Sequence, residues 1–467
     1  MTTKAVGWRS VGALAGAVAG AAVILLWPRS PALPLEAQRL AALFFLSLVL
    51  WTTDAIPLAA TSLLALALQP VLGVAPLSAA FTNFISSVFF FVIAMFCIAQ
   101  AVVTSGLSRR LALALLSRAG TDPGRVLLAF MAGTALTSTV ISDVPCTAIF
   151  MAIALPLFEQ RGLVPGRSRF AASVMMGIPI AAFIGGIGTP AGSPINVLGL
   201  QFLEQYGKVR VPFLHWMAIG IPMVLVLLPI AWRALLHFFP PEFDTFGDIG
   251  TIQAERAALG PLQPVERKVL GLLAAMIVLW ILSTWYKQLE VPLITVLGAV
   301  ALFLPGMRIV TWKEVERSTG WDVLLVIGAV TSLGAASVKT GLAQAVVDLS
   351  LGGLTGSPFW IVVAISAFVV VIHLVLTIAP VIVAVLIPPI VILAEASGRS
   401  PVLYALPVVF AASCAFLLPL DAVLLMTYAK GYYRMLDLLK PGIIISVAWI
   451  FLMAALLTGL GPLLGLL

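Results

Sequence analysis

Charge is what this chain has least of. Only 10% of its 467 residues are Asp, Glu, Lys or Arg, against about 25% in a soluble globular protein. Long polar stretches are equally scarce: the longest, residues 237–266, holds Pro240-Pro241, Asp244, Asp248 and Glu255 and is too short to form an enzyme domain. There are three cysteines, Cys97, Cys146 and Cys414, all in or beside apolar segments, and they show neither a disulfide framework nor metal-ligand spacing. No Walker motif, zinc-ligand pattern or nucleophile elbow occurs, so nothing in the sequence suggests ATP-driven transport or catalysis. Gly186-x-Gly188-x-x-Ala191 formally matches a dinucleotide fingerprint. It has no preceding strand, contains a proline and lacks an acidic residue about 20 positions on, so it is not one.

What is abundant is apolar surface. The chain is 61% hydrophobic with a mean hydropathy of +1.14. Apolar runs of helix length recur from end to end, which predicts an all-α polytopic membrane protein of about 11 transmembrane helices. Spans or half-spans are expected at 11–27, 38–54, 57–73, 84–105, 168–184, 196–205, 212–236, 267–285, 292–305, 321–338, 400–416, 422–430 and 441–460. The first follows Lys4 and Arg9. Its length and the lack of a small-x-small cleavage site favour a retained helix over a cleaved leader. The net charge of +7 needs no nucleic-acid partner. It reflects Lys and Arg gathered in 1–10, 106–125, 159–169, 233–268, 306–320 and 430–440, which the positive-inside rule places in the cytoplasm, with the N-terminus inside and the C-terminus outside.

Two apolar stretches do not read as single spans. Residues 126–158 are interrupted by Thr137-Ser138-Thr139 and Ser142-Asp143-Val144-Pro145, and residues 358–395 by Thr377-Ile378-Ala379-Pro380. Each suits a re-entrant hairpin turning at mid-membrane. Aligning Ser105-Gly106-Leu107 with Thr340-Gly341-Leu342 places Ser142 on Thr377 and Pro145 on Pro380, and Gly220 and Gly442 follow similar transitions. Loop 106–125 carries Arg109, Arg110, Arg118 and Arg125, whereas loop 341–357 carries no Lys or Arg, so the two equivalent loops face opposite sides and the repeat is inverted. The expected organisation is an N-terminal helix (1–36), a first repeat (37–236) with hairpin 126–158 and broken helix 168–205, a cytoplasmic linker (237–266) with a surface helix, and a second repeat (267–463) with hairpin 358–395 and broken helix 400–430.

The first broken helix turns on Gly185-Gly186-Ile187-Gly188-Thr189-Pro190-Ala191-Gly192-Ser193-Pro194-Ile195-Asn196, and the second on Leu418-Pro419-Leu420-Asp421-Ala422. Non-helical backbone at membrane depth is tolerated only where protein or a water-filled cavity satisfies it. Matched breaks in two halves point to a binding site at their interface. Half-helices starting near 143 and 378 would aim partial positive charge at one point, which suits an anion; a mere kink at Ser, Thr and Pro is the plainer reading of either break alone. Asp143 and Asp421 are intramembrane carboxylates and candidates for cation or proton coordination. His373, one turn before the second tip, is either a pH-sensing imidazole or a packing histidine. Lys430 is read as snorkelling to the surface, Asp322 and Lys339 as segment ends, and Asp54 as a helix cap.

Trp51-Thr52-Thr53-Asp54-Ala55-Ile56-Pro57-Leu58, followed by Thr61-Ser62-Leu63-Leu64, and the loop Gly188-Thr189-Pro190-Ala191-Gly192-Ser193-Pro194-Ile195-Asn196 resemble motifs of the divalent anion/sodium symporter family, which carries dicarboxylates, citrate or sulfate. The likeness runs from about residue 38 to 460. It implies an inverted-repeat fold with two re-entrant hairpins, a homodimer, and an elevator-like moving domain. By the same resemblance Ser138, Ser142, Asp143, Gly188, Gly192 and Asn196 would form a sodium site, and Ser142, Asp143, Thr189, Ser193, Pro194, Thr377 and Asp421 would line the substrate cavity. The family's tips each read Ser-Asn-Thr, where this chain has Ser142-Asp143-Val144 and Thr377-Ile378-Ala379, and its second loop has Asp421-Ala422-Val423-Leu424 in place of Thr-Pro-Pro-Asn. The resulting expectation is a secondary active transporter of a small anion, a dicarboxylate or similar divalent anion, coupled to sodium or protons and lying in a bacterial inner membrane. It would need no other cofactor. A cation/proton antiporter using Asp143 and Asp421 is the alternative, and a non-transporting sensor or scaffold the last.

Overall fold

The computed structural model describes residues 8–28, 33–246, 250–350 and 356–467. Lys4, Asp248 and part of loop 341–357 lie outside them. Every regular element described is helical. The chain opens with α1 (Trp8–Leu26), α2 (Leu35–Thr53), α3 (Leu58–Val71), α4 (Leu77–Phe84), α5 (Ser87–Thr104) and α6 (Leu107–Ala119). It continues with α7 (Pro123–Ser138), α8 (Asp143–Gln160), α9 (Arg169–Gly186), α10 (Pro194–Gly207) and α11 (Phe213–Phe238). A short α12 (Gly250–Ala258) leads into α13 (Pro264–Leu282), α14 (Val291–Ala301), α15 (Trp312–Ser318), α16 (Trp321–Lys339) and α17 (Leu342–Ser350). Last come α18 (Pro358–Ile372), α19 (Ala379–Ala396), α20 (Pro401–Ala412), α21 (Ala422–Tyr428) and α22 (Leu439–Leu460). Among the described residues, 8 helices are long and apolar enough to cross a membrane, and shorter apolar helices such as α3, α14, α18 and α20 accompany them. The chain is an all-helical, multi-span membrane protein.

The element boundaries have local causes. Proline stands in the first turn of α7, α10, α13, α14, α18, α19 and α20, where its missing N–H leaves no bond unmade. Asp122 caps α7 by accepting from Arg125 N–H at 2.7 Å. Gly106 and Gly341 precede α6 and α17 with φ of 80° and 79°, the left-handed turn that glycine adopts without strain.

Several elements differ from the sequence expectation. The span expected at 84–105 is α5, and a short helix not expected from the sequence, α4, precedes it across Ile85-Ser86. The expected loop 106–125 is mostly helix α6. It buries Ser108, Ala112, Leu113, Leu116 and Ala119 along one face while Arg109 and Arg118 stay out, a periodicity that counting charge overlooked. Its counterpart 341–357 likewise begins with a helix, α17. Asp54 does not cap the helix that follows; it ends α2 in a left-handed conformation, and Pro57 stands at the start of α3 with no side-chain cap.

Packing brings the two halves of the chain together crosswise. Helices α3 and α4 lie on α16, while α14 and α15 lie on α5. Gln69 Nε2 donates to Ser332 Oγ at 2.9 Å, and Ser332 Oγ to Ala80 O at 2.9 Å, which satisfies buried polar groups where α3, α4 and α16 meet. Helix α10 crosses onto α19 and α20, and α21 onto α8 and α9; α11 packs along α22. Helices α9 and α20 are buried almost throughout, because they are apolar or small on every face. Residues 255–266 are pinned to α6: Arg110 pairs with Glu266 at 2.7 Å and donates to the carbonyls of Leu259, Gly260 and Pro261, while Arg109 pairs with Glu255 at 3.1 Å.

Candidate functional site

Two tips and two breaks converge on one place. Between α7 and α8 the backbone leaves the helix at Thr139 and re-enters after Ser142; between α18 and α19 it leaves at His373 and re-enters after Ile378. Helix α9 ends at Gly186, a short turn Pro190–Gly192 follows, and α10 starts beyond Ser193. Helix α20 ends at Ala412 and α21 starts beyond Asp421. The starts of α8, α10, α19 and α21 all line a single cavity of about 130 Å³. Ser142, Asp143, Ser193, Pro194, Thr377 and Asp421 stand on it with Phe183 of α9; the opposite wall is apolar, from Leu58, Val92, Met95, Phe96, Val323, Val326 and Ile327. Among the described residues no Lys, Arg or His lines it.

Both aspartates are held by helix-start donors. Asp143 Oδ1 accepts from Ser142 Oγ at 2.9 Å and from Val144 N–H at 3.0 Å, and Asp421 Oδ1 accepts from Val423 N–H at 2.9 Å. Each carboxylate thus occupies N–H groups that would otherwise be free for an external anion.

The other expected site residues sit behind the cavity, around the first break. Thr189 does not line the cavity: its Oγ1 donates to Thr139 O at 2.6 Å. Asn196 Nδ2 donates to Gly186 O at 2.8 Å and to Thr189 O at 3.0 Å, while its Oδ1 is buried without a partner. Ser138 Oγ donates to Ala182 O at 2.7 Å. A Cβ on Gly192 would lie 2.4 Å from Gly186 O and 2.9 Å from Ser138 O, so these carbonyls crowd the turn. Gly188 donates its N–H to Gly185 O at 2.9 Å. Neutral oxygens gathered this closely, with one side-chain carbonyl left unpaired, fit a hard monovalent cation. The structure therefore separates the expected set: Ser138, Gly188, Gly192 and Asn196 gather behind the break, with Ser142 and Asp143 on the cavity side.

Sequence reasoning missed the apolar wall, for which Val92, Phe96 or Ile327 carry no local signal. It also missed the props behind each break. Trp216 Nε1 donates to Ile187 O at 2.8 Å, and a Cβ on Gly220 of α11 would meet that same carbonyl at 2.4 Å. On α22 a Cβ on Gly442 would meet Phe416 O at 1.9 Å. Both glycines let a helix backbone touch a break. His373 is buried and its Nε2 lies 3.0 Å from Ala412 O. Lys430 is exposed, and Asp322 and Lys339 stand in the first and last turns of α16.

Comparison with known proteins places this geometry. A family described as the sodium:sulfate symporter transmembrane region matches residues 9–467. The sodium-dependent dicarboxylate transporter SdcS of Staphylococcus saprophyticus is 31% identical over 397 residues, covering 79% of this chain and 75% of its own length. The sodium-dependent high-affinity dicarboxylate transporter 3 of Caenorhabditis elegans is 25% identical over 451 residues, covering 85% and 79%. A membrane protein of Cupriavidus necator is 27% identical over 433 residues, covering 88% and 84%. Among solved structures, the Alcanivorax borkumensis YdaH transporter, described as having an unusual topology, superposes with a TM-score of 0.50 at 15% identity over 82% of this chain and 87% of its own. Neisseria gonorrhoeae MtrF, assigned to a class of antimetabolite efflux pumps, does so with 0.51 at 14% over 94% and 97%. These two likenesses concern the fold alone. The chain belongs to the sodium:sulfate symporter family, the divalent anion/sodium symporters, and is a transporter rather than an enzyme.

Proposed function

We propose that this chain is a sodium-coupled secondary active transporter that carries a small carboxylate-bearing solute in the cavity between the four helix starts, with the dicarboxylates named for its relatives as the first class to test. The convergence of the starts of α8, α10, α19 and α21 on one cavity carries this reading. Sodium would be held behind the first break by Asn196 Oδ1 and the carbonyls around Gly192. It would supply positive charge and fix the break next to the bound solute.

Residues 37–236 and 267–463 are read as inverted repeats, 237–266 as their cytoplasmic linker, and 126–158 and 358–395 as re-entrant hairpins. The crosswise packing of equivalent helices supports this. The hairpins and broken helices would move as an elevator past α3, α5 and α16, which supply the apolar wall. The homodimer, the bacterial inner membrane and the cytoplasmic N-terminus enter this reading from the resemblance, the compact loops and the distribution of Lys and Arg.

A dianion in this cavity meets Asp143 and Asp421. One like-charge contact at about 4 Å and an effective dielectric of 20 costs about 4 kcal/mol, about three decades of affinity. The solute's charge must therefore be matched by sodium or protons at these carboxylates. The same pair, with no base facing it, favours one second reading, cation/proton antiport. In proteoliposomes an inward sodium gradient should drive uptake of labelled succinate or a related carboxylate, and Asn196→Ala should abolish the sodium dependence. Uptake indifferent to sodium would refute the coupling. Proton flux driven by a cation gradient with no solute present would establish the antiporter instead.

A further inference from the structure

The charge pattern of the cavity points to a more specific solute. We propose that it takes a small zwitterion, one carboxylate and one ammonium on an apolar body, as in an apolar amino acid, rather than a dianion; this rests on the reading of the cavity as the transport site. Two of the four helix starts are already filled by the protein's own carboxylates, Asp143 on Val144 N–H and Asp421 on Val423 N–H. In both aspartates these bonds fall on Oδ1. With no base on the lining, these carboxylates ask for a cationic donor.

The starts of α10 and α19 hold no carboxylate of the protein's own, and the one at α10 has the unpartnered hydroxyl. Ser193 caps α10, a 14-residue helix, and lines the cavity; it is 1% exposed and its Oγ has no hydrogen-bond partner. At this start Pro194 has no N–H and Asn196 N–H donates to Ser193 O at 3.1 Å, so the Ser193 hydroxyl, in the positive end of the helix, is the donor presented to a carboxylate. The second tip presents Ile378 and Ala379, which have no side-chain donor, and a single hydroxyl, that of Thr377. Phe96, Phe183, Met95 and Val326 supply the surface for an apolar body. A dianion would add two negative charges to the two aspartates; a zwitterion adds none, and its ammonium lies where those charges are.

The purified full-length chain is tested by thermal shift in sodium and in potassium. Four kinds of probe serve: valine, leucine or phenylalanine; 3-methylbutylamine, which is leucine without its carboxylate; 4-methylpentanoate, which is leucine without its amine; and succinate. The expected result is a sodium-dependent rise in melting temperature with an apolar amino acid, and affinities at least about tenfold weaker for the amine and the acid. Asp421→Asn should weaken the amino acid about tenfold or more, and Ser193→Ala should weaken it without affecting the amine. Retention of the sodium-induced shift in both variants certifies their fold. A sodium-dependent shift by succinate with none by the amino acids overturns the inference and leaves the transport reading intact. Amine binding as tight as the amino acid overturns the carboxylate half, and acid binding as tight overturns the ammonium half. If sodium shifts the melting temperature and no probe does, the zwitterion is wrong. If neither sodium nor any probe does, the transport reading falls with it.

Discussion

Asn196 and Gly192 show how little of the proposed sodium site is side chain. One amide oxygen is left unpaired, and backbone carbonyls crowd a glycine that has no room for a methyl group. Gly192→Ala should therefore abolish the sodium-induced thermal shift, whereas Gly271→Ala, which meets nothing within 4 Å on α13, should leave it unchanged. Outside the membrane segments, the Arg110 guanidinium, through its hydrogen bond, holds the Glu266 carboxyl below the usual carboxylate range. A group whose folded value is depressed contributes stability above its unfolded value, about pH 4.3, and loses it as pH falls through the folded one. Thermal melts from pH 7 to pH 3 should show Glu266→Gln less stable than wild type at neutral pH by about 2 kcal/mol, with the difference closing at the acid end. The two aspartates were legible from sequence because charge in an apolar run is rare. That each would lie on its own helix-start amide was not, since an N-cap bond depends on a backbone dihedral that the residue name does not state.

Helix breaks are held open by the helices behind them. Helix α11 reaches the first break through Gly220 and Trp216, and α22 reaches the second through Gly442. An alanine at either glycine forces two backbones apart, an overpacking of about 1–3 kcal/mol. Gly442→Ala should lower the melting temperature more than Gly220→Ala, since its Cβ would lie 1.9 Å from a carbonyl against 2.4 Å. Equal melting temperatures for both variants and wild type would show that the breaks move freely against these helices. The long apolar helices were legible from hydropathy within a few residues. The amphipathic α6, α15 and α17 were not, because short helices carrying charge read as loops until their buried face is known, and the uncharged α4 is too short to register as a span.

For the molecule as a whole, the cavity joins two sets of elements: tips and breaks on one side, α3, α5 and α16 on the other. If the first set moves past the second, tying them together must stop transport. Cysteines replacing Met95 and Val144, which face the same cavity from α5 and α8, in a background lacking Cys97, Cys146 and Cys414, should permit a short thiol crosslinker to arrest uptake. Reduction of a cleavable linker should restore it. Undiminished uptake after complete crosslinking would refute a relative movement at this seam.

Composition alone made this an all-helical membrane protein, because apolar runs of helix length have no other stable form in a bilayer. The Gly-Thr-Pro-Ala-Gly-Ser-Pro-Ile-Asn run marked the first break, since glycine and proline at that density cannot continue a helix. Tertiary packing settled what faces what. The crossing of α10 onto α19 and α20, and of α21 onto α8 and α9, puts four helix starts around one cavity and leaves Asn196 behind it with Asp143 and Asp421 in front. Those juxtapositions join residues more than 170 positions apart. They follow from which buried faces fit together, and no local pattern in the chain records that fit.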